Sequence, residues 1–252
     1  MPDRSLADEY ERQARWRHWD EAMALVPLRP GERVLDLGCG VGDVTALLQR
    51  LGADVLGVDT NEDLLDRARL RHPGVRFEKL DVNGLTPATF GIVDGIWSSF
   101  VAAYFTNLDS VLSRWRECLV PGGWLALVEV DDLLGHAPLY PGITEQVRAF
   151  YDESRKPAGY DFECGHRLAD SMSRAGLRVV TERVLRDDEL SFDGPAQAEV
   201  LTAWRERLNR MAGLKRFLAA RFAEFESAFL AALASAHHRS NARVFAVIAR
   251  ND

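Results

Sequence analysis

The sequence predicts a doubly wound α/β protein with a mostly parallel, seven-stranded sheet and an added helical cap. Short apolar runs alternate with helical patterns along most of the chain, which is typical of strand–helix–strand crossovers. These runs are apolar at consecutive positions, as expected of parallel strands that are covered on both faces. Two longer stretches interrupt the alternation and supply the predicted cap.

The chain opens with a helical pattern that two prolines, Pro27 and Pro30, bring to an end. The apolar face of this helix is formed by Trp16, Trp19, Met23 and Val26. Its charges, within "ERQARWRHW", are expected to form a solvated face. Seven strands are then predicted at 33–37, 54–58, 75–80, 91–99, 124–130, 177–185 and 242–249. Helices are predicted between them at 44–51, 61–71, 107–119, 142–155 and 166–175, with Asn61 as an N-cap.

This order divides the chain into alternating core and cap segments. We assign an N-terminal cap helix (1–30), a core (31–131), a cap insertion (132–165), a core continuation (166–190), a helical cap insertion (191–239) and a last core strand (240–252). Two apolar helical stripes, 201–211 and 214–233, occupy the second insertion. Their faces must be buried, either as a lid over the strand ends or in a dimer contact. The neighbouring His237 and His238 are expected to complement a helix C-terminal dipole.

Composition excludes several classes of protein. The 252 residues carry a formal net charge of −7, which disfavours a nucleic-acid partner because phosphate binding needs clustered Lys and Arg. No window is apolar enough for a membrane span, and the start has no secretory apolar region. The three cysteines, Cys39, Cys118 and Cys164, suggest neither a disulfide framework nor a zinc site. We expect a soluble, cytoplasmic protein.

The most informative stretch is "VLDLGCGVGD" (34–43), which places Gly38, Gly40 and Gly42 between the first strand and the first helix. Such a turn points backbone N–H groups and a positive helix end at a ligand. Asp43 stands where the dinucleotide fingerprint needs its third glycine. Asp36 is awkward beside a pyrophosphate but suits an ammonium group. The ligand is therefore not expected to be a dinucleotide.

Two more acids follow the next two strands. Asp59 ends the second strand, where a carboxylate can accept both ribose hydroxyls. Asp81 follows the third strand, where it could accept the exocyclic amine of an adenine. With Asp36, these acids indicate an adenosine that carries a charged amino-acid tail, which describes S-adenosylmethionine (SAM).

The chain resembles the class I SAM-dependent methyltransferases, most closely the small-molecule branch. The resemblance rests on "VLDLGCGVGD", "VLGVDTNEDLLDRAR", "KLDVN" and "SSFVAAYFTNLDSVLSRWRECLVPGGWLALVEV", which cover about 31–131. It implies a Rossmann-like sheet that ends in an antiparallel strand. It also implies a cofactor site, with S-adenosyl-L-homocysteine (SAH) as product. At the methionine end the site would use Asp36, Gly38, Gly40 and the backbone of Cys39. Asp59 and Thr60 would bind the ribose, Asp81 and Val82 the adenine, and Ser98 would lie beside the sulfonium.

Candidates for the acceptor side lie after the fourth and fifth strands and in the cap, because ligands bind beyond the carboxyl ends of such strands. Catalytic candidates are Tyr104, Asp161 and His166. Substrate-binding candidates are Tyr10, Trp16, Tyr104, Asp131 and Tyr160. Glu129, Asp132 and His136 follow the fifth strand and could bind an amine or include a base. Ser98 and Ser99 stand where metal-dependent relatives carry acids, so we expect no metal.

We therefore expect methyl transfer by in-line displacement to an N, O or C atom of a small, partly aromatic or apolar molecule. Three alternatives stay open: a protein or nucleic-acid methyltransferase, a SAM-binding protein with other chemistry or none, and a nicotinamide oxidoreductase. A homodimer is possible.

Overall fold

The structure is a computed structural model that describes residues 5–156 and 159–252. The first four residues of the predicted N-terminal segment and residues 157–158 of the first insertion lie outside these ranges. The strands, numbered in chain order, are β1 (Arg33–Leu37), β2 (Asp54–Asp59), β3 (Arg76–Lys79), β4 (Val93–Ser99), β5 (Leu119–Asp131), β6 (His136–Ala137), β7 (Arg178–Leu185), β8 (Arg239–Ser240) and β9 (Arg243–Arg250).

Seven of these strands form one sheet within the described ranges, in the order β3-β2-β1-β4-β5-β9-β7. β1 pairs in parallel with β2 and β4, whereas β9 runs antiparallel to β5 and β7. The chain winds outward in both directions from β1 and β4, which opens a crevice beyond their carboxyl ends. The predicted Rossmann-like, mostly parallel seven-stranded sheet is confirmed.

Helices cover both faces of the sheet. They are α1 (Leu6–Ala14), α2 (Trp19–Met23), α3 (Asp43–Arg50), α4 (Glu62–Arg71), α5 (Pro87–Phe90), α6 (Leu108–Glu117), α7 (Pro141–Ser154), α8 (Leu168–Arg174), α9 (Ala198–Arg210), α10 (Ala212–Leu218) and α11 (Phe222–Leu233). The Asn61 side chain accepts from the N–H groups of Asp63 and Leu64, so it caps α4 as predicted.

Successive residues of β1 enter different cores, because side chains alternate across a strand. Val34 joins a buried cluster that continues into the cap, whereas Leu35 and Leu37 join a second cluster on the other face. In the cap, Trp204 of α9 and Phe229 of α11 are fully buried with their rings 5.2 Å apart. The cap helices therefore extend one core of the sheet rather than forming a separate core.

Two predicted helices are interrupted. The N-terminal pattern forms α1 and α2, separated because the backbone of Arg17 pairs with that of Asp187. Trp16 and Trp19 are therefore not on one helix. The 214–233 stripe forms α10 and α11, because Ala219 adopts φ 49° and turns the chain between them.

Two expectations about charged residues are wrong. Arg12 and Arg17 do not form a solvated face, because both side chains are buried and paired with carboxylates. His238 does not complement a helix dipole, because its buried ring lies against His136, with Nε2 2.9 Å from Nδ1 of that residue. Among residues 5–156 and 159–252, no helix has the length and apolar character needed to cross a membrane.

Candidate functional site

A cleft of about 480 Å³ lies beyond the carboxyl ends of the central strands, between the sheet and the cap. Its walls come from the turns after β1, β2, β3 and β4, from α1 and from the cap. Lining residues on the sheet side are Asp36, Gly38, Cys39, Gly40, Val41, Asp43, Asp59, Thr60, Asn61, Asp81, Val82, Asn83, Ser99, Phe100 and Val101. Eight of these are predicted cofactor residues, and the topology gathers them from the ends of β1, β2 and β3.

The glycine turn needs residues without side chains. Gly38 and Gly40 have φ 77° and 53°, which favour glycine. A Cβ at Gly38 would overlap the side chain of Val101, and a Cβ at Gly40 would lie 3.1 Å from the ring of Tyr10. The backbone of Gly38 and Gly40 therefore lies against Val101 and Tyr10 and also lines the cleft.

Asp36 lies at the bottom of the cleft, on β1. It is 1% exposed, and one carboxylate oxygen accepts a 2.6 Å hydrogen bond from the hydroxyl of Thr45. Burial raises the pKa of Asp36 to about 7, against the opposing effect of the Thr45 bond. A cationic group brought beside this carboxyl would favour its ionised form.

Asp59 and Asp81 organise the turns that carry them. Asp59 accepts from the N–H groups of Gly40 and Asn61, both at 2.9 Å, so it ties the glycine turn to the end of β2. Asp81 accepts from the N–H of Asn83 at 2.9 Å and is otherwise exposed. A carboxylate has about four lone-pair directions, so both can also accept from a ligand.

Three tyrosines form the opposite wall, namely Tyr10 of α1, Tyr104 after β4 and Tyr160 after α7. The rings of Tyr104 and Tyr160 meet edge to face, 4.9 Å apart. Burial raises the pKa of Tyr10 and of Tyr160, so both are neutral phenols near neutral pH. These three predicted substrate-side residues are brought together.

Sequence reasoning missed two arginines in the same wall. Arg17 and Arg207 line the cleft and share the buried carboxylate of Glu189, at 2.8 and 2.7 Å. Arg17 also pairs with Asp187 at 3.0 Å. Burial by itself raises the pKa of Glu189, but the two guanidinium charges outweigh burial and hold this pKa below its usual value. No sequence signal marks this cluster, because its members lie far apart in the chain.

Eight predicted residues do not line this cleft, and three of them are Glu129, Asp132 and His136, the candidates after the fifth strand. Trp16 is buried in the core beneath α1, and the Ser98 hydroxyl donates inward to the carbonyl of Leu37 at 2.9 Å. Ser99 takes the lining position instead, because neighbouring residues of β4 face opposite sides of the sheet.

Asp131 and His166 pair with each other, with 2.7 Å between Oδ1 and Nδ1, outside the cleft. Asp161 pairs with Arg167 in a neighbouring depression on the far side of Tyr160. Of the catalytic candidates, Tyr104 alone lines the main cleft. Among the described residues, no three His, Cys, Asp or Glu side chains are grouped so as to hold a metal ion.

Comparisons with known proteins relate the chain to others by sequence and by fold. Residues 35–127 match the family model described as a methyltransferase domain. This confirms the predicted resemblance to the SAM-dependent methyltransferases. The chain is also 40% identical over 130 residues to a trans-aconitate 2-methyltransferase of Methylobacterium nodulans, a match that covers 51% of this chain and 48% of the relative. The chain thus spans about half the length of that relative.

Solved structures share the fold across most of the chain. A putative methyltransferase from Bacillus halodurans has a TM-score of 0.62 at 18% identity, covering 93% of this chain and 98% of the other. The [4+2]-cyclase SpnF has a TM-score of 0.59 at 20% identity, covering 92% and 79%. The fold is therefore shared by a putative methyltransferase and a [4+2]-cyclase.

Proposed function

We propose that the protein is a SAM-dependent methyltransferase that acts on a small molecule held between the methyltransferase domain and the cap. The observation that carries the proposal is that three carboxylates and one glycine turn line a single cleft. This set of hydrogen-bond acceptors fits the amine, the ribose hydroxyls and the adenine amine of one sulfonium nucleoside. Asp36 is poorly suited to a pyrophosphate, which argues against a nicotinamide cofactor.

Each cofactor-side residue has a specific role in this proposal. Asp36 would hold the ammonium group and Asp59 the ribose hydroxyls, with Thr60 beside them. Asp81 would accept from the adenine amine, above the apolar side chain of Val82. The backbone of the glycine turn, including Cys39, would follow the methionine end without side chains in the way.

When bound, SAM supplies a methyl group on a sulfonium for in-line displacement, so the protein has to align the acceptor and exclude water. Tyr10, Tyr104 and Tyr160 would supply that wall. Their rings favour an acceptor with aromatic or apolar surface, and their hydroxyls can orient a polar atom. Arg17 and Arg207 add hydrogen-bond donors, but their charges are compensated by Glu189 and Asp187.

The relatives named trans-aconitate 2-methyltransferase support a small-molecule acceptor, and trans-aconitate is one candidate. The enclosure of the cleft by cap helices also favours a small acceptor over a protein or nucleic acid. The formal charge of −7 supports the same choice.

Calorimetry with SAM, SAH and NAD tests the cofactor, and we expect binding of the first two alone. SAH release is then measured with a panel of phenols, amines and carboxylic acids that includes trans-aconitate. Asp59→Asn is compared with Asp54→Asn, a matched change at the exposed opposite end of β2. Binding of SAM without SAH release by any small acceptor would favour non-methyl chemistry, and binding of NAD would contradict the proposal.

A further inference from the structure

Glu129, near the end of β5, is a fully buried carboxylate behind the acceptor wall. It accepts backbone hydrogen bonds from the N–H groups of Ala103 at 3.2 Å and Val130 at 3.0 Å. It also accepts from the hydroxyl of Tyr160, with Oε1 3.4 Å from the phenolic oxygen. Burying a carboxylate costs desolvation free energy, so packing alone does not account for a glutamate at this position.

The contacts of Glu129 connect it to the cleft on two sides. Val130, the next residue along β5, lines the cleft. Ala103 lies in the short helical turn that follows Val101, whose side chain abuts Gly38. Glu129 is therefore separated from the proposed methyl-transfer region by one layer of residues.

Tyr160 belongs to that layer: it lines the cleft, and its side-chain hydroxyl donates to Glu129. Its hydroxyl donates to Glu129, which leaves its own lone pairs available to accept a proton from a ligand. The edge-to-face contact with Tyr104 holds its ring in place.

The pKa shifts of Tyr160 and Glu129 favour a transfer in which the phenol passes one proton on as it accepts another, and so never stays charged. Burial raises the pKa of Tyr160 well above its usual value, so a stable phenolate is disfavoured. Burial also raises the pKa of Glu129 to about 7, although three donors oppose this effect. The other titratable or charged groups that act on this pair are Asp161, Tyr104, Cys164 and Arg207.

We propose that Glu129, acting through the hydroxyl of Tyr160, takes up the proton that a hydroxyl or N–H acceptor loses on methylation. This rests on the proposed function. As the acceptor atom gains its bond to carbon, its proton moves to the phenolic oxygen of Tyr160. The phenolic proton moves at the same time to Oε1 of Glu129. When product leaves, the proton returns by the same path to water in the cleft.

Tyr160 would touch the acceptor, and Glu129 would act through it as a positioning residue and proton acceptor. A second buried tyrosine offers a matched control. The hydroxyl of Tyr151 donates to Asp132 at 3.0 Å, and its ring stacks on Phe162, but it does not line the cleft. Tyr151→Phe removes the same type of bond from the same region of the cap, together with the acceptor of the Leu134 N–H.

The first test needs no acceptor. Difference infrared spectroscopy of the SAH complex follows protonated carboxyl groups across a pH titration. We expect one carboxyl with a midpoint near pH 7 that disappears in Glu129→Gln. The midpoint should rise in Tyr160→Phe, because a donor to the carboxylate is lost, and stay unchanged in Tyr151→Phe. A midpoint that Tyr160→Phe leaves unchanged, or the absence of a carboxyl removed by Glu129→Gln, would overturn the relay.

The second test uses an acceptor that supports SAH release. Tyr160→Phe should lower kcat about 100-fold, the usual scale of proton-transfer catalysis, with KM for SAM unchanged. In the wild-type protein kcat should rise through pH 7 as Glu129 loses its proton, and Glu129→Gln should remove this rise. The kcat of Tyr151→Phe should stay within about twofold of wild type. If Glu129→Gln does not fold, Tyr160→Phe decides alone.

Calorimetric binding of SAM separates the two proposals. Wild-type protein that fails to bind SAM contradicts the proposed function, whatever the infrared result. Normal SAM binding together with normal turnover of Tyr160→Phe contradicts the relay alone.

Discussion

Binding of SAM should depend on pH through Asp36, and the dependence should disappear in Asp36→Asn. Burial raises the pKa of this carboxyl to about 7. The carboxyl therefore holds a proton below pH 7 in the free protein, while a bound ammonium group favours the ionised form. Binding then releases a proton, so affinity falls as pH falls. At one pH unit below this pKa the loss is about 10-fold, or about 1.4 kcal/mol.

Calorimetry in two buffers that differ in ionisation enthalpy measures both the affinity and the proton release. We expect release of nearly one proton per SAM at about pH 6 and little above about pH 8. 5′-Methylthioadenosine, which lacks the ammonium group, should show no such dependence, and Asp54→Asn should behave as wild type. The reasoning is refuted if the affinity of wild-type protein for SAM is the same at the two pH values, or if Asp36→Asn keeps the wild-type slope.

Three further outcomes follow from other contacts. Asp59→Ala removes the acceptor of the Gly40 N–H and should weaken SAM binding by about 1–3 kcal/mol in calorimetry; unchanged affinity would place the cofactor elsewhere. Glu189→Gln removes the charge that two buried arginines share and should lower the free energy of unfolding in urea by about 3–5 kcal/mol, whereas a loss below about 1 kcal/mol would show that the cluster is not coupled. Burial lowers the pKa of His136 from 6.5 to about 3, so between these values the ring binds a proton in the unfolded chain but not in the folded one. The free energy of unfolding is therefore unaffected by this ring above pH 6.5 and decreases as pH falls below 6.5. Urea unfolding should show about 1.4 kcal/mol less stability one unit below 6.5, a slope that His136→Gln reduces and the exposed His237→Gln does not.

The sheet could be predicted because each strand carries its own local signal. The apolar runs, the glycine turn and the Asn61 cap all act within a few residues, so their outcome does not depend on distant partners. The acids at the carboxyl ends of β1, β2 and β3 follow the same logic, since parallel strands end at one edge and bring Asp36, Asp59 and Asp81 together.

The acceptor side could not be predicted in this way, because distant pairs decide it. Arg17 lies in a run whose charges look solvated, yet its side chain is buried because it forms an ion pair with Glu189, which is far away in the sequence. The break between α1 and α2 has the same origin, since the Arg17 backbone pairs with Asp187. Ser98 and Ser99 differ by a single position, and the pleat of β4 alone determines which one faces the cleft.

A crystal structure with SAH bound tests the central claim most directly. The account predicts the amino group beside Asp36, the ribose hydroxyls on Asp59 and the adenine between Asp81 and Val82, with the sulfur facing the tyrosine wall. SAH bound outside the cleft, or bound there with these three carboxylates turned away from it, would contradict the account.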